Sequence, residues 1–327
     1  MSTPNSCIDD GVCEVTEKLQ RISTIDNNVS VCANCGKEGS SDNMNICNKC
    51  KVVKYCNAAC KKKHRHKHKK DCEEHVRLAA ERAAVELFKQ PETEDDCPIC
   101  FQKLPVLNTG WRYQTCCGKE ICSGCIFAPV YDNQGNVVAE KKCPFCRTPY
   151  PTTDEELTKR RGKRVEMNDP IAIHNRGNYY RDGRSGFPID YKKALELYHR
   201  AGELGYAGAH LGIGDAYYHG KGVEVDKKKA KHYYELAAMG GDAAARYNLD
   251  LDEEMAGNIH RALKHHMIAI GGGYATSLNK IKWLYTNGHA TKEDYTGALQ
   301  YYQKYLVEIK SVQRDKAAAF SDEYRYY

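Results

Sequence analysis

The chain has 327 residues, of which 41% are hydrophobic and 28% charged, with a formal net charge of +6 and seventeen cysteines. We expect two or more domains at this length, and no apolar run approaches the roughly 20 residues that cross a bilayer. So many cysteines without a signal-peptide segment exclude a secreted disulfide scaffold. They indicate metal thiolates in a soluble, intracellular protein of the cytoplasm, the nucleus or both.

The positive charge does not by itself indicate a nucleic-acid-binding protein. Fifteen of the seventeen cysteines lie between residues 32 and 146. If all fifteen bind four Zn²⁺ as thiolates, fifteen negative and eight positive charges bring the net charge from +6 to about −1. A DNA-binding function rests only on the basic runs and is disfavoured, so we expect proteins or peptides as partners and no membrane.

The chain begins with a polar leader and continues with a first cysteine cluster. Residues 1–30 have no apolar period and predict disorder, with Cys7 and Cys13 as free thiols. In the cluster, Cys-x-x-Cys spacing lets both sulfurs reach one tetrahedral ion, and a histidine and a cysteine four residues apart share a helix face. Eight ligands predict two closed zinc sites: Cys32, Cys35, Cys47, Cys50, Cys56, Cys60, His68 and Cys72.

This spacing, with Tyr55 before the third pair, resembles the MYND zinc finger over residues 32–72. In that family the ligands interleave along the chain, and the module, here 31–73, binds a short proline-containing peptide. The resemblance implies two ligand sets: Cys32, Cys35, Cys56 and Cys60 for one ion, and Cys47, Cys50, His68 and Cys72 for the other.

Two alternatives stay open in this cluster. His64 and His66 compete with His68 as ligands, although the family spacing favours His68. The basic run Lys61–Lys70 is either a phosphate-binding or nuclear-targeting patch or a helix face that offsets the thiolate charge. The second interpretation is favoured because the run has no aromatic residues for base stacking.

A helical pattern from Glu73 to Gln90 ends at Pro91, and acidic residues follow, so 74–95 is predicted to be a helical linker. The second cluster then spans 97–146. It contains four cysteine pairs, of which the first, third and fourth have Cys-x-x-Cys spacing and the second is an adjacent Cys-Cys pair. The cluster resembles a RING finger over 97–147. The module boundaries are 96–148, and the resemblance implies a first ion held by Cys97, Cys100, Cys122 and Cys125.

The ligands of the second ion depart from the usual RING pattern. Lys119 occupies the position of the family's histidine, whereas all-cysteine RING variants place a cysteine where this chain has Cys117. Its partner would be the adjacent Cys116, although one of the two cysteines could be a bystander. The resemblance then implies a second set of Cys116, Cys117, Cys143 and Cys146.

RING-type ubiquitin ligases hold a charged conjugating enzyme and do no covalent chemistry themselves. The family's contact features are an apolar residue in the first knuckle, a proline in the last, and a basic residue after the last cysteine. Ile99, Pro144 and Arg147 match all three, and Arg147 would bridge the enzyme to ubiquitin. The alternative is that Ile99 and Pro144 only support the knuckles and Arg147 is a surface charge.

Residues 149–168 carry the run Lys159–Arg164 and predict a basic, flexible linker. A repeat follows, in which Ala194, Ala230, Ala262 and Ala298 recur at intervals of 32 to 36 residues. The pattern resembles Sel-type, tetratricopeptide-like repeats in four copies over 169–308. The third copy departs, because Asp250–Asn258 replaces the Gly-rich loop. Residues 309–327 form a charged, Tyr-rich tail.

The predicted fold is mainly α and multidomain, with two small cross-braced zinc-binding modules followed by an α-solenoid of helix hairpins. The cofactor is zinc, in four ions. We expect an interaction scaffold in which the MYND-like finger binds a peptide and the solenoid binds a protein. The alternative is a RING-type ubiquitin ligase that recruits a conjugating enzyme through Ile99, Pro144 and Arg147 and uses the other modules for substrates.

Overall fold

The computed structural model describes residues 30–40, 43–91, 96–106, 108–132, 134 and 136–327, without the side chain of Asn108. The predicted disordered leader, apart from its last residue, and most of the acidic stretch 92–96 lie outside the described residues. The chain divides into two compact units, Met1–Val85 and Glu86–Tyr327. Within the described ranges, no helix is long and apolar enough to cross a membrane.

In the first unit, two short antiparallel strand pairs precede a long helix. Strand β1 (Ser30–Val31) pairs with β2 (Glu38–Gly39), and β3 (Asn45–Ile46) pairs with β4 (Lys54–Tyr55). Helix α1 (Ala58–Leu87) follows and contains most of the predicted helix over 73–90. Four of the six buried core residues are cysteines, so this core has little apolar area of its own and depends on what the cysteines bind.

The second unit begins with the second cysteine cluster. Strands β5 (Trp111–Gln114) and β6 (Lys119–Cys122) form an antiparallel hairpin in which Trp111 lies opposite Cys122. The short helix α2 (Ser123–Phe127) follows directly, and all five of its residues are buried.

The basic stretch after this cluster is helical, which corrects the prediction of a flexible linker over 149–168. Helix α3 spans Asp154–Glu166. The Thr153 side chain accepts a hydrogen bond from the Glu156 backbone N–H, acidic residues occupy the first turn, and basic residues occupy the last. The cap and the favourable interaction of these charges with the helix dipole both stabilise the helix. Val165 anchors it in the core of the first repeat.

Four consecutive helix pairs form the repeat region, as predicted. Most of their helices begin with a capped turn; Asp169, Asp190, Asp226 and Asp242, for example, each accept a backbone N–H two or three residues ahead. The pairs are α4 (Pro170–Asp182) with α5 (Tyr191–Glu203), α6 (Ala207–His219) with α7 (Lys227–Met239), α8 (Ala243–Met255) with α9 (Ile259–Gly271), and α10 (Ala275–Thr286) with α11 (Lys292–Ile309).

Small residues and tyrosines pack the first two pairs in the same way. A Cβ on Gly177 would lie 2.6 Å from the Tyr198 ring, and a Cβ on Gly214 would lie 2.5 Å from the Tyr234 ring. Each glycine therefore makes room for the tyrosine of the next helix. The Tyr198 hydroxyl donates to Asn178 Oδ1 at 2.8 Å, and Tyr234 donates to Asp215 Oδ1 at 2.9 Å.

The third pair keeps the hairpin but changes this contact. Asp250 stands at the glycine position and His266 at the tyrosine position. His266 Nε2 lies 2.9 Å from Asp250 Oδ2, both side chains are fully buried, and His266 Nδ1 lies 3.1 Å from Ser277 Oγ. A buried polar contact thus replaces the glycine–tyrosine contact. The third copy lacks the Gly-rich loop of the first two repeats. It still forms a helix pair, with a short connection between its helices.

The C-terminal tail is also ordered. Helix α12 (Val312–Phe320) packs on α2, and a 3₁₀ turn (Asp322–Tyr324) follows. Phe127 of α2 contacts the rings of Phe320 and Tyr324, with centroids 5.1 and 5.8 Å away. The second cysteine cluster and the C-terminal helix therefore share one core, which explains why α2 is buried.

Candidate metal centres

The structure brings the cysteines and His68 into four groups, whose ligand atoms all lie within 4.8 Å of one another inside each group. We call them sites A to D. Site A is Cys32, Cys35, Cys56 and Cys60; site B is Cys47, Cys50, His68 and Cys72; site C is Cys97, Cys100, Cys122 and Cys125; site D is Cys116, Cys117, Cys143 and Cys146. In both clusters the two groups alternate along the chain, as expected of cross-braced modules.

The separations between ligand atoms fit a tetrahedral zinc ion. With Zn–S bonds of about 2.3 Å, tetrahedral sulfurs lie about 3.8 Å apart. In site A the Sγ atoms of Cys35 and Cys56 are 3.6 Å apart, and in site C those of Cys100 and Cys122 are 3.8 Å apart. In site B the Cys50 Sγ lies 3.4 Å from His68 Nε2. The four tetrads are positioned for four zinc ions.

Four of the five Cys-x-x-Cys pairs share one backbone geometry; the exception is Cys122–Cys125, which lies at the start of α2. The residue after the second cysteine has a positive φ: 72° at Gly36, 57° at Lys51, 55° at Phe101 and 61° at Arg147. Its N–H donates to the carbonyl oxygen of the first cysteine, at 2.8 to 3.0 Å. The left-handed conformation costs a non-glycine residue about 1–2 kcal/mol. This turn aims both thiols at one point, so metal binding offsets that cost.

The adjacent Cys116 and Cys117 both belong to site D. They lie in the turn between β5 and β6, where the Gly118 N–H donates to the Gln114 carbonyl oxygen at 2.7 Å. Cys116 Sγ is 3.3 Å from Cys146, and Cys117 Sγ is 3.9 Å from Cys143. The tight turn lets neighbouring residues approach one point from two sides.

Gly118 is required in this turn. Its φ is 72°, and a Cβ there would lie 1.7 Å from Arg164 Nη2. Arg164 in turn pairs with the buried Asp169, which also accepts from the Tyr113 hydroxyl at 2.8 Å. This network connects the site D turn to α3 and α4. Lys119 begins β6 with an exposed side chain.

The thiols within one site do not ionise alike. In site A, N–H groups of Cys56, Asn34 and Cys35 lower the pKa of Cys32 to about 6. In the same site, the hydrogen bond with Cys60, burial and the neighbouring Cys32 and Cys35 raise the pKa of Cys56 to about 12. Once one thiolate has formed, a second negative charge beside it is disfavoured. A divalent cation at the centre removes this obstacle, so the donor set suits Zn²⁺.

The structure separates the three candidate histidines of the first cluster. His68 is buried in site B, His66 is exposed, and His64 Nδ1 lies 3.3 Å from the Tyr55 hydroxyl. The basic run belongs to α1, where Lys61 Nζ donates to the Ile46 carbonyl oxygen at 2.8 Å. Most of its other cationic side chains are exposed.

The three candidate contacts for a conjugating enzyme lie on the two outer knuckles of the second cluster. Ile99 is 36% exposed, Arg147 is exposed and Pro144 is half-buried. Phe101, directly after the first of these knuckles, and Phe145, within the last, are also exposed apolar residues. The knuckle loops therefore offer apolar surface, whereas α2 beneath them is covered by α12.

Two buried arginines were not found by sequence reasoning. Arg246, in α8, donates to the carbonyl oxygens of Leu87 at 2.9 Å, Lys89 at 3.4 Å and Ala238 at 2.9 Å. Within the second unit, this contact holds Leu87 and Lys89 on the third repeat. There Phe88 also packs on His265, whose pKa is lowered to about 3 by burial and by the nearby Arg246.

The second arginine, Arg314, is fully buried in α12. Its Nη1 donates to the carbonyl oxygens of Lys103 at 2.8 Å and Ile309 at 2.7 Å, and its Nη2 donates to that of Gln102 at 3.3 Å. It thereby fixes the first knuckle loop of the second cluster to the C-terminal helix. No sequence signal marks either arginine, because two of the three acceptors of each are backbone atoms more than 150 residues away in the chain.

Comparison with known families supports two of the three modules. The MYND finger model matches residues 32–72, and the Sel1 repeat model matches residues 170–206, 207–242 and 278–304. The chain therefore carries a MYND finger and Sel1 repeats. The third helix pair lies between the last two Sel1 matches. No RING family model matches the second cluster, although its cysteine tetrads are present.

Similarity to individual proteins is partial. The chain is 43% identical over 70 residues to the ERAD-associated E3 ubiquitin-protein ligase component HRD3A of Arabidopsis thaliana, over 20% of this chain and 10% of that protein. It thus spans about a tenth of that relative's length.

Two solved structures align with part of the chain. The Sel1 repeat protein from Oxalobacter formigenes has 29% identity, a TM-score of 0.41, and coverage of 46% of this chain and 63% of its own. A protective antigen of uropathogenic Escherichia coli with an SLR fold has 22% identity, a TM-score of 0.40, and coverage of 53% and 37%.

Proposed function

We propose that this chain is a zinc-dependent scaffold for protein–protein interactions. The MYND finger, at 31–73, binds a short peptide, and the Sel1 repeat region, at 169–308, binds a partner protein. The observation that carries the proposal is the set of four closed tetrads, whose ligands are those predicted from the sequence. A site with four protein ligands has no open position for a substrate, so zinc here serves the fold.

Exposed apolar side chains on the finger support peptide binding. Val31, Ile46 and Val52 are large apolar residues of the finger that stay exposed, at 53%, 38% and 52%. They lie on or beside the short strands that carry the knuckles. Three exposed apolar side chains on so small a module suit contact with a peptide.

Selection from a phage-displayed library of proline-containing peptides on the zinc-loaded full chain tests this role. We expect selected peptides whose affinity falls at least tenfold, about 1.4 kcal/mol, in Ile46→Asp or Val52→Asp. Val137→Asp changes a similarly exposed valine in the second cluster and should leave binding unchanged. Peptides that bind all three variants equally would contradict a site on the finger.

The second candidate is a RING-type ubiquitin ligase. Sites C and D alternate as in a RING, and Ile99 and Arg147 are exposed on the outer knuckles. Similarity to a protein named as a ligase component also fits a place in such an assembly. The finger and repeats would then recruit substrates, and Ile99, Pro144 and Arg147 would contact the conjugating enzyme.

Autoubiquitination with purified activating enzyme and a broad panel of conjugating enzymes separates the two candidates. For a ligase we expect chains from the wild type and a loss of at least tenfold in rate for Ile99→Ala or Arg147→Ala, with zinc content unchanged. If the wild type forms no chains with any enzyme, the scaffold function remains and the ligase is excluded.

A further inference from the structure

A cavity of about 250 Å³ lies between the second cysteine cluster and the first repeat. Tyr113 and Thr115 at the end of β5 form one wall, and residues of α3 and α4 form the others. Every lining residue lies between 113 and 187, so the cavity belongs to the second unit alone. None of the zinc sites includes a lining residue.

Two arginines line this cavity, Arg161 from α3 and Arg176 from α4. The Arg161 guanidinium lies 5.1 Å from the Tyr179 ring centroid, and its Nη1 donates to Ser185 Oγ at 3.4 Å. The Arg176 guanidinium lies 6.0 Å from the Phe187 ring centroid. Aromatic rings thus hold both guanidiniums at the cavity while their N–H groups keep capacity for a ligand.

The surrounding arginines are paired, and these two are not. Four neighbours of the pair, on α3, α4 and the turn after α4, each lie within 4.0 Å of a carboxylate: Arg160, Arg164, Arg181 and Arg184. Among the described residues, no carboxylate lies within that distance of Arg161 or Arg176. Two half-buried cations without a counter-charge are costly, and an anionic ligand would compensate them.

The remaining lining residues suit an anion as well. No aspartate or glutamate lines the cavity, whereas the hydroxyls of Thr115 and Thr158 and the amide of Asn175 do. Two guanidiniums match a phosphate monoester, which carries about −1.5 to −2 charges and three acceptor oxygens. A carboxylate carries one negative charge and would leave one guanidinium unpaired.

We infer that this cavity binds the phosphate group of a phosphorylated side chain on a partner protein. A volume of about 250 Å³ holds one such side chain. The inference rests on the proposed scaffold function for the source of the ligand. The phosphate site itself requires only Arg161 and Arg176.

Fluorescence anisotropy of a labelled Gly-Ala peptide with one central phosphoserine, added to the zinc-loaded full chain, tests the inference. We expect binding that weakens with salt, a tenfold or greater loss in Arg161→Ala and in Arg176→Ala, and a smaller loss in the corresponding lysine variants. Arg184→Ala removes an arginine that is already paired and exposed, and should bind like the wild type.

Matched peptides and variants show whether the cavity binds phosphate. The same peptide with serine should not bind, and that with glutamate should bind at least tenfold more weakly. Equal binding of the serine peptide, no binding of the phosphoserine peptide at millimolar concentration, or full affinity in folded Arg161→Lys and Arg176→Lys double variants would each contradict the site. Val52→Asp should leave phosphopeptide binding unchanged, so failure here is distinguishable from failure of the finger.

Discussion

Replacing His266 by tyrosine should lower the free energy of unfolding by about 3 kcal/mol, and adding Asp250→Gly should recover most of that loss. The first two repeats place glycine against tyrosine, and the third places Asp250 against His266, 2.9 Å apart and fully buried. In the single variant a tyrosine ring meets the buried Asp250 carboxylate, which loses its partner. In the double variant the contact returns to that of the neighbouring repeats.

The recovery should be incomplete for a specific reason. The tyrosine hydroxyls of the first two repeats donate to Asn178 and Asp215, whereas Leu251 stands at the equivalent position in α8. A third change, Leu251→Asn, should supply the acceptor and add about 1 kcal/mol. His260→Tyr makes the same change at an exposed position of α9 and serves as the control.

Thermal unfolding of the zinc-loaded variants, with hydrogen exchange followed in α8 and α9, measures these effects. The expected order of stability is wild type, then the triple and double variants, then either single variant. If Asp250→Gly and His266→Tyr simply added their separate losses, the two residues would not form the coupled pair that the structure shows.

Arg314→Met should destabilise the second unit by about 3 kcal/mol, since three carbonyl oxygens lose a charged donor inside the protein. The affected acceptors belong to Gln102, Lys103 and Ile309. We expect faster hydrogen exchange in residues 312–327 and in the knuckle around Cys97, because the arginine connects these two segments. Limited proteolysis should cleave the variant within the C-terminal tail before it cleaves the repeats.

A second variant tests the same contact without removing the arginine. A Cβ on Gly124 would lie 2.8 Å from the Arg314 backbone nitrogen, so Gly124→Ala should push α2 away from α12 and give the same exchange pattern. Arg325→Met changes an exposed arginine of the tail and should have no such effect. Normal exchange of the tail in both Arg314→Met and Gly124→Ala would show that the tail does not stabilise the cysteine cluster.

The sequence predicts the zinc tetrads well because ligand spacing is a local property. The spacing of Cys97 and Cys100 lets both sulfurs bind one ion regardless of the rest of the fold. Cys-x-x-Cys pairs can therefore be predicted as ligands of one site from the sequence. The role of the adjacent Cys116 and Cys117 is harder to predict, since their shared site depends on the turn at Gly118 and on Arg164 packed beside it. Spacing alone could not decide whether both cysteines contribute.

The sequence is less informative where distant segments meet. Arg314 contacts residues 211 and 212 positions away, and Arg246 contacts residues 157 and 159 positions away. Arginines are normally exposed, so nothing in the sequence indicates that these two are buried. Helix α3 was predicted as a linker because its sequence is mostly charged and buries a single apolar side chain, Val165.

Native mass spectrometry of the purified full chain tests the central claim, that four closed zinc sites build the two cysteine clusters. We expect four zinc ions per chain, falling to three in Cys116→Ser and in Cys117→Ser, because each cysteine completes site D. A count of three in the wild type that neither substitution changes would contradict site D and the cross-braced second module.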